Sequence, residues 1–550
     1  MNTKNLISLY FSIAFLFLLG ISSINYKIDL TENKRFTLKN ETVSKIRQID
    51  NKINIDVFLS GDLPSSYRKL YNEIKELLNS FNSINKKLNI NFINPFGDDL
   101  STQNVISKMS SYGMSPDYIL DTNKQSIDQK IVFPWAILND NKNSILIPLT
   151  KSNRGESQEQ IIINSIEKLE YKIIDGLDRL TNKKKLKLAF ITSHETSPNI
   201  KISDWINDLQ KYYKVVAFDL KRYKSNPKET FKNLTTFPVI IVSNPKKSFS
   251  KEEKFILDQY QINGGNILWL IDTVKIDLEL LFKNDGKVLG VKNNLNLDDY
   301  FFNYELRINP ILTKDIYCAP IIIANGKGNE TKYLPFPWVY YPLAKPNKKN
   351  IVSSGVEDLL FRFSSPIDTL PGSSNKKILV SSSNYNQYQS IPSMIDLNSA
   401  ISPINPNKYD LKSKPLIVLS EGNFNSLFKN RIPPIPELNF KNNGKSKFIL
   451  ISDGQFAENQ TEGNKPLELG YDKWTNNFYS NKDFLMNSVH YLIDNYQFLK
   501  IKSKKVRINL LDIIKVKNRS KFESIIFLIL PLIFLIFLKL IIIKSRNSNS

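Results

Sequence analysis

Two long apolar stretches, one near each end, constrain this chain more than any other feature of its sequence. Residues 6–24 (LISLYFSIAFLFLLGISSI) carry no charge. As a helix they match the roughly 30 Å hydrocarbon core of a bilayer. The second stretch begins near Phe522 and runs through IIFLILPLIFLIFLKLIII to Ile543. Pro531 inside it is tolerable in a membrane helix, and Lys539 lies near one end, where its head group can snorkel to the interface. The first stretch also admits a cleaved signal peptide, because Gly20-Ile21-Ser22 is a small-x-small site. Lys4 is the lone cation before it and the apolar run is long for a signal, which favours an uncleaved anchor. Two spans put both termini on one side of the membrane and the intervening chain on the other. Basic flanks do not fix which side. Lys4, Lys544 and Arg546 flank the termini, while Lys27, Lys34, Arg35, Lys515, Lys517, Arg519 and Lys521 flank the large region. Counted alone, they would put that region in the cytoplasm, but long domains translocate largely regardless of charge.

At 550 residues the chain has room for two to four domains of about 150 residues each. Hydrophobic residues make up 41% and charged residues 23%, so a core can be buried. The net charge of +22 is spread along the chain, without a zinc knuckle, basic zipper or aromatic RNP string. Attraction to anionic lipid head groups explains it better than nucleic-acid binding. Cys318 is the one cysteine, which leaves no disulfide within the chain and no CxxC pair.

The region between the spans alternates strand and helix patterns. Thr37 is placed to cap a helix burying Val43, Ile46 and Ile49. Residues 53–59 alternate as a strand, residues 67–81 carry apolar side chains at helical spacing, and residues 88–95 form the next strand, so a βαβ unit with a parallel sheet is expected. Residues 131–138 and 144–149 read as further strands. A long helix over 156–180 places Ile162, Ile166, Leu169, Ile173, Leu177 and Leu180 on one face. The polar string 181–185 then marks a boundary. From Leu186 the order strand (186–192), helix (202–213), strand (214–220), strand (238–245), helix, strand (266–272) is a doubly wound pattern. Its second helix opens on a Ser250/Glu253 capping box and stops at Gly264-Gly265. Residues 280–375 are rich in Asn, Pro and Asp and read as an insertion or long surface loops. Strands return at 376–382, 415–422 and 447–454, before a helix over 481–494 that buries Leu485, Val489 and Leu492.

The expected architecture is therefore α/β: two Rossmann-like, doubly wound soluble domains between two transmembrane helices. The divisions are an anchor over 1–28, a first domain over 29–183, a second over 184–500, a basic juxtamembrane linker over 501–521, and a C-terminal helix and tail over 522–550.

Candidate chemistry is sparse. His194 and Glu195 follow a strand, at the edge where α/β sheets bind ligands. Pro198 stands where a second histidine would complete HExxH. Asp272 and Asp453 each end a strand and either bind a ligand or cap the turn that follows. These four are the candidate ligand-binding residues. His490 reads as a packed or surface helix residue. There is no P-loop, no GxGxxG after a strand and no GxSxG elbow, and Cys318 has no histidine nearby. No catalytic set, metal site or cofactor is expected.

Several segments taken in order resemble the GldG family, the gliding-motility auxiliary proteins of Bacteroidetes ABC transporters. These are DLTENKRFTL (29–38), FLSGDLPSSYRKLYNEIKELLNSF (58–81), NSIEKLEYKIIDGLDRL (164–180), LAFITSHETS (188–197), ISDGQFAEN (451–459), LGYDKWTNNFYSNKDFLMNSVHYLID (469–494) and RINLLD (507–512). Relatives carry a Gly-His-Gly-Glu-like loop after the strand at 188. Here it is Ser193-His194-Glu195, without the glycines, so a role tied to them does not carry over. The resemblance implies anchoring in the bacterial inner membrane with the large region in the periplasm. It also implies partnership with a separate permease and a separate ATPase, and an auxiliary or substrate-binding role without catalysis. The expected partners are those two subunits, membrane lipid and an unidentified envelope substrate, not nucleic acid. The alternatives are a cell-envelope hydrolase using His194, Glu195 and a strand-end aspartate, or a glycan-binding protein.

Overall fold

The computed structural model describes residues 29, 37–97, 101–121, 128–151, 156–182, 184–283, 285–325 and 331–503, with 526, 529–533, 535, 536 and 539 near the C-terminus. The N-terminal apolar stretch and most of the basic linker lie outside the described residues. So does much of the C-terminal stretch, whose described positions are helical and exposed. No helix among the described residues is long and apolar enough to cross a membrane.

The first helix, α1 (Asn40–Arg47), starts later than Thr37 would place it, with Lys39 at the cap position and no side-chain cap of its own. Glu170 takes that role from a distant helix. Its carboxylate accepts from Lys39 N at 3.0 Å and from Thr42 Oγ1 at 2.6 Å. Ile46 and Ile49 are buried as expected, while Val43 is half-buried. Strand β1 (Ile53–Val57), helix α2 (Ser65–Ile84) and strand β2 (Leu88–Phe92) form the expected βαβ unit. Tyr67, Leu70, Ile74, Leu78 and Phe81 are the buried side of α2.

The sheet that follows is mixed rather than doubly wound. After α3 (Thr102–Ser111), the expected strand 131–138 divides at Phe133-Pro134. Its first half, β4 (Asp128–Val132), pairs with β3 (Asp117–Asp121), and its second half, β5 (Trp135–Asn139), pairs with β1. Strand β6 (Ser144–Pro148) returns beside β5 through a short turn, giving the order β2-β1-β5-β6 with β1/β2 the parallel pair. Antiparallel neighbours need no helical crossover, and the short connection after β5 permits none. The expected long helix is also two, α4 (Gln158–Glu167) and α5 (Leu169–Thr181), meeting at Lys168. All six of its apolar positions are buried.

The second sheet contains β7 (Lys187–Ile191), β8 (Lys214–Phe218), β9 (Val239–Ser243) and β10 (Asn266–Leu270). Its connecting helices are α6 (Asn199–Gln210), α7 (Pro227–Leu234) and α8 (Lys251–Ile262). The Ser250/Glu253 capping box opens α8 with both reciprocal hydrogen bonds. Past its end, Gly264 has φ +97°, a conformation that glycine adopts without strain.

Residues 280–375 are not loops. They contain β11 (Cys318–Asn325) and the long β12 (Lys332–Ala344), which pair antiparallel, and with shorter strands they bury their own core around Leu312, Ile321, Trp338 and Tyr340. Pro335, Pro337 and Pro342 interrupt β12, and proline ordinarily argues against a strand. The apolar alternation was therefore hidden in the sequence.

The chain then re-enters the main sheet through β13 (Asn375–Ser381), β14 (Pro415–Asn425) and β15 (Asn443–Ile451). The sheet order is β13-β14-β15-β10-β9-β7-β8. The last five strands of that row are parallel, and β13 and β14 lie antiparallel at one edge. Alternate side chains divide between two cores. Ile240, Val242, Ile267, Trp269 and Leu450 meet α7 and α8. Val239, Ile241, Leu268, Leu270 and Ile449 meet α6 and the last long helix, α9 (Asn481–Leu492). His490 in α9 is packed, its Nδ1 2.6 Å from Tyr213 OH, and burial pushes its pKa down to about 3. Residues Phe36–Lys505 form one compact unit.

Gly444, at the start of β15, marks the tightest join between sheet and helix. A Cβ there would lie 1.8 Å from the carbonyl oxygen of Ile262. Backbone cannot yield as a side chain does, so Gly444→Ala is expected to destabilise the fold by about 1–3 kcal/mol. Urea unfolding of the full chain followed by tryptophan fluorescence measures this, and an unchanged midpoint would contradict the close approach.

Candidate functional site

Among the parallel strands, chain order runs outward in both directions from β7, with β8 on one side and β9, β10 and β15 on the other. The order reverses between β7 and β9. In doubly wound sheets this crevice, at the carboxyl ends of the strands, is the usual place for a ligand. Here the exits of β7, β9, β10 and β15 are laced together by polar side chains.

Leaving β7, Ser193, His194 and Glu195 form a tight turn in which His194 (φ +75°) and Glu195 (φ +49°) are left-handed. The His194 carbonyl accepts from Lys246 N at 2.8 Å and Lys247 N at 3.1 Å, joining this turn to the exit of β9. The His194 ring faces elsewhere. It stacks on Phe249 at 3.8 Å, and Nδ1 and Nε2 lie 3.0 Å from Ser193 Oγ and Glu253 Oε2. Ser193, His194 and Glu253 thus stand in the order of a hydrolytic triad. Ser193 Oγ, however, is buried and already accepts from Leu220 N at 3.3 Å, and Glu253 is held in the cap of α8. The cluster pins the β7 exit onto α8. Glu195 is exposed and pairs with Lys247 at 3.5 Å.

The two aspartates come together. Asp272 accepts from Gly454 N at 2.6 Å and from Lys246 Nζ at 3.1 Å. Asp453 accepts from Gln455 N at 2.8 Å, capping the short 3-10 turn Gly454–Ala457, and from Arg362 N at 2.7 Å. Both are buried. Burial pushes the Asp272 carboxyl up from its ordinary value against the pull of Lys246. Burial, reinforced by the charge of Asp272, pushes Asp453 well above the carboxylate range.

Sequence reasoning missed the residues that complete the network. Asn244 Nδ2 and Ser197 Oγ each donate to Glu458 Oε1 at 2.9 Å, and Lys201 Nζ lies 3.4 Å from Glu458 Oε2. Asn244 Oδ1 is buried without a hydrogen-bond partner among the described residues. Gly454 is required beside it, because a Cβ there would lie 2.3 Å from Asn244 Oδ1 and 2.8 Å from Asp272 Oδ2. Asn244 and Lys246 follow β9 as His194 follows β7, so the strand-end signal was present in the sequence. Glu458 lies within the ISDGQFAEN segment, without a local sign of its distant partners.

A cavity of about 470 Å³ begins where β10 ends, at Ile271 and Thr273, and extends past residues 293–310 to Leu427 and Arg431. Among the described residues, no three His, Cys, Asp or Glu side chains are grouped to hold a metal ion. Cys318 is half-buried, and burial pushes its thiol up to about 12.

Residues 185–488, from the start of β7 into α9, match the family described as an ABC-type uncharacterized transport system. The chain belongs to that family. The match covers the whole seven-stranded sheet, so the chain is an auxiliary component of an ABC-type transport system, a family that associates with other transporter components. Residues 32–139 match a second family model, a domain of unknown function (DUF7088). An uncharacterized protein of Borreliella burgdorferi is 25% identical over 570 residues, covering 99% of this chain and 98% of that one. Among solved structures, the mmIFT52 N-terminal domain is 12% identical, covering 59% of this chain and 100% of that one with a TM-score of 0.32. A ThuA-like protein from Parabacteroides merdae is 10% identical, covering 60% and 94% with a TM-score of 0.26.

The raised carboxyls give the transporter component a pH signature. A carboxyl raised on folding contributes stability that is complete below its unfolded pKa, about 3.9. That contribution is lost as pH rises toward the folded value. The stability difference between wild type and Asp453→Asn is therefore expected to shift against wild type between pH 4 and pH 8. Urea midpoints at several pH values measure it, and a difference independent of pH would show that the pair is ionised normally.

Proposed function

We propose that this protein is the non-catalytic, membrane-anchored subunit of its ABC-type system, presenting a ligand or envelope partner to a separate permease driven by a separate ATPase. The family match over residues 185–488 carries this reading. A chain without a P-loop needs another subunit to hydrolyse ATP. The terminal apolar stretches support anchoring at both ends. In the described part of the second, Leu530, Leu532, Ile533, Leu535 and Ile536 are more than half exposed, a surface that water disfavours and lipid accepts.

Placement of the large region in the periplasm, at the inner membrane, rests on the GldG resemblance, as does any part in gliding motility. The hydrolase alternative is weaker. Both nitrogens of the His194 ring are taken by Ser193 and Glu253, and Asp272 and Asp453 are hydrogen-bonded to other groups, which counts against their use as an acid–base set.

Affinity purification of the tagged full chain from detergent-solubilised membranes is expected to recover a permease and an ATPase, and the chain is expected to stay with membranes through a carbonate wash. Recovery of the chain alone, while other membrane complexes survive the same detergent, would overturn the partnership. Release by carbonate would overturn the anchoring.

A further inference from the structure

The 470 Å³ cavity falls within the roughly 300–1,000 Å³ range of small-molecule sites, and its lining is divided in kind. Leu297, Phe301, Ile308 and Leu427 give it an apolar body, and exposed Phe302 also lines it. Its wall is held in place from behind. The buried Asp258 carboxylate accepts from Leu427 N at 2.8 Å and from Tyr304 OH at 3.0 Å, fixing the loop after β14 against the segment that carries Phe301.

Four charged side chains line the cavity, and three are already neutralised. Asp298 pairs with Lys292 at 2.6 Å, Asp299 with Lys254 at 2.7 Å, and Arg307 with Asp368 at 2.7 Å. Arg431 has no acidic partner among the described residues and is exposed. Its backbone is anchored, with its N–H donating to Phe428 O at 3.0 Å. The local charge left over is therefore a single guanidinium beside an apolar hollow.

We propose that this cavity binds a compact amphipathic monoanion, with its apolar body between Phe301 and Leu427 and its acidic head on Arg431. A guanidinium makes two parallel hydrogen bonds to a carboxylate or a phosphate oxygen pair, which sets both affinity and orientation. The body supplies the burial that a small anion alone would lack. The inference rests on the cavity and not on the transporter partnership, so binding by the isolated chain tests it separately.

The test is photolabelling of the purified full chain with 4-benzoylbenzoate, followed by mapping of the labelled peptides by mass spectrometry. Saturable label is expected within residues 293–310 and 427–431, competed by 4-phenylbenzoate and not by acetate. Arg431→Glu is expected to weaken it by roughly tenfold, the loss of one charge-assisted pair, with Arg431→Lys retaining a large part. Arg431 is exposed, so neither change disturbs the core. Neutral benzophenone is expected to label these segments weakly and equally in all three proteins. Label confined to other segments would overturn the site. Competition by acetate alone, or labelling indifferent to Arg431→Glu, would overturn the amphipathic anion as its ligand.

Discussion

The inner parallel strands of the large sheet, β7, β9 and β10, are covered on both faces, and most of the structure follows from that constraint. Side chains such as Val239, Ile240, Leu268 and Trp269 have no exposed surface. A parallel sheet can be covered in this way only if the chain leaves and re-enters it through crossovers. Helices α7 and α8 occupy one face, α6 and α9 the other. The strand exits are then the places where buried backbone meets polar side chains. Polar groups there are paired wherever a partner is in reach, because a buried unpaired one costs about 1–3 kcal/mol, and Asn244 Oδ1 is the exception within the network. The network of Ser197, Asn244, Lys246, Asp272, Asp453 and Glu458 is the result. It joins the reversal point between β7 and β9 to the far end of the parallel row.

What the sequence made legible tracks the range of the interactions concerned. The 3.6-residue spacing in α2 and the capping box of α8 are local, and both stand as read. So do the buried apolar runs of β7, β9, β10 and β15, whose composition declares coverage on both faces. Strand-end position alone picked out His194, Asp272 and Asp453. What it left unseen spans the chain. Ser197 and Glu458 are 261 residues apart, and Asn244 and Glu458 are 214 apart. No window of sequence contains both ends of such a pair. Glu170 capping α1 across 128 residues is the same case. Of the two readings of residues 280–375, the surface loops fail for a different reason, while the region does stand as an insertion between β10 and β13. Its prolines sit inside a paired strand, so the punctuation that usually marks a loop concealed a core.

The direction of the His194 ring bears on chemistry more than its position does. A histidine at the end of β7 invites comparison with an acid–base residue, and its two neighbours complete a familiar order. Yet the ring lies flat on Phe249 and both nitrogens are spent on Ser193 and Glu253. Glu253 in turn receives the Ser250 backbone N–H at 2.8 Å. The interaction therefore runs from the sheet edge into the first turn of α8. A histidine that fixes a helix to a strand exit needs no access to solvent, whereas a catalytic one does.

The buried Asp272–Asp453 pair is poorly explained as a source of stability. Two carboxyls taken out of water side by side oppose folding whenever both ionise, and replacing buried charge with apolar packing is often neutral or favourable. Their value lies in what they fix. Asp272 holds the Gly454 amide and the Lys246 ammonium, and Asp453 holds the Arg362 and Gln455 amides. Between them they set the exits of β10 and β15 against the β9 exit and against Arg362, which follows the region folded around β11 and β12. Each of these bonds has a direction, and a greasy contact of the same size would not. In this family member the polar edge therefore ties the strand ends together by directional hydrogen bonds. The cavity that opens where β10 ends inherits that fixed geometry, which is what a site selecting its ligand by the position of one guanidinium requires.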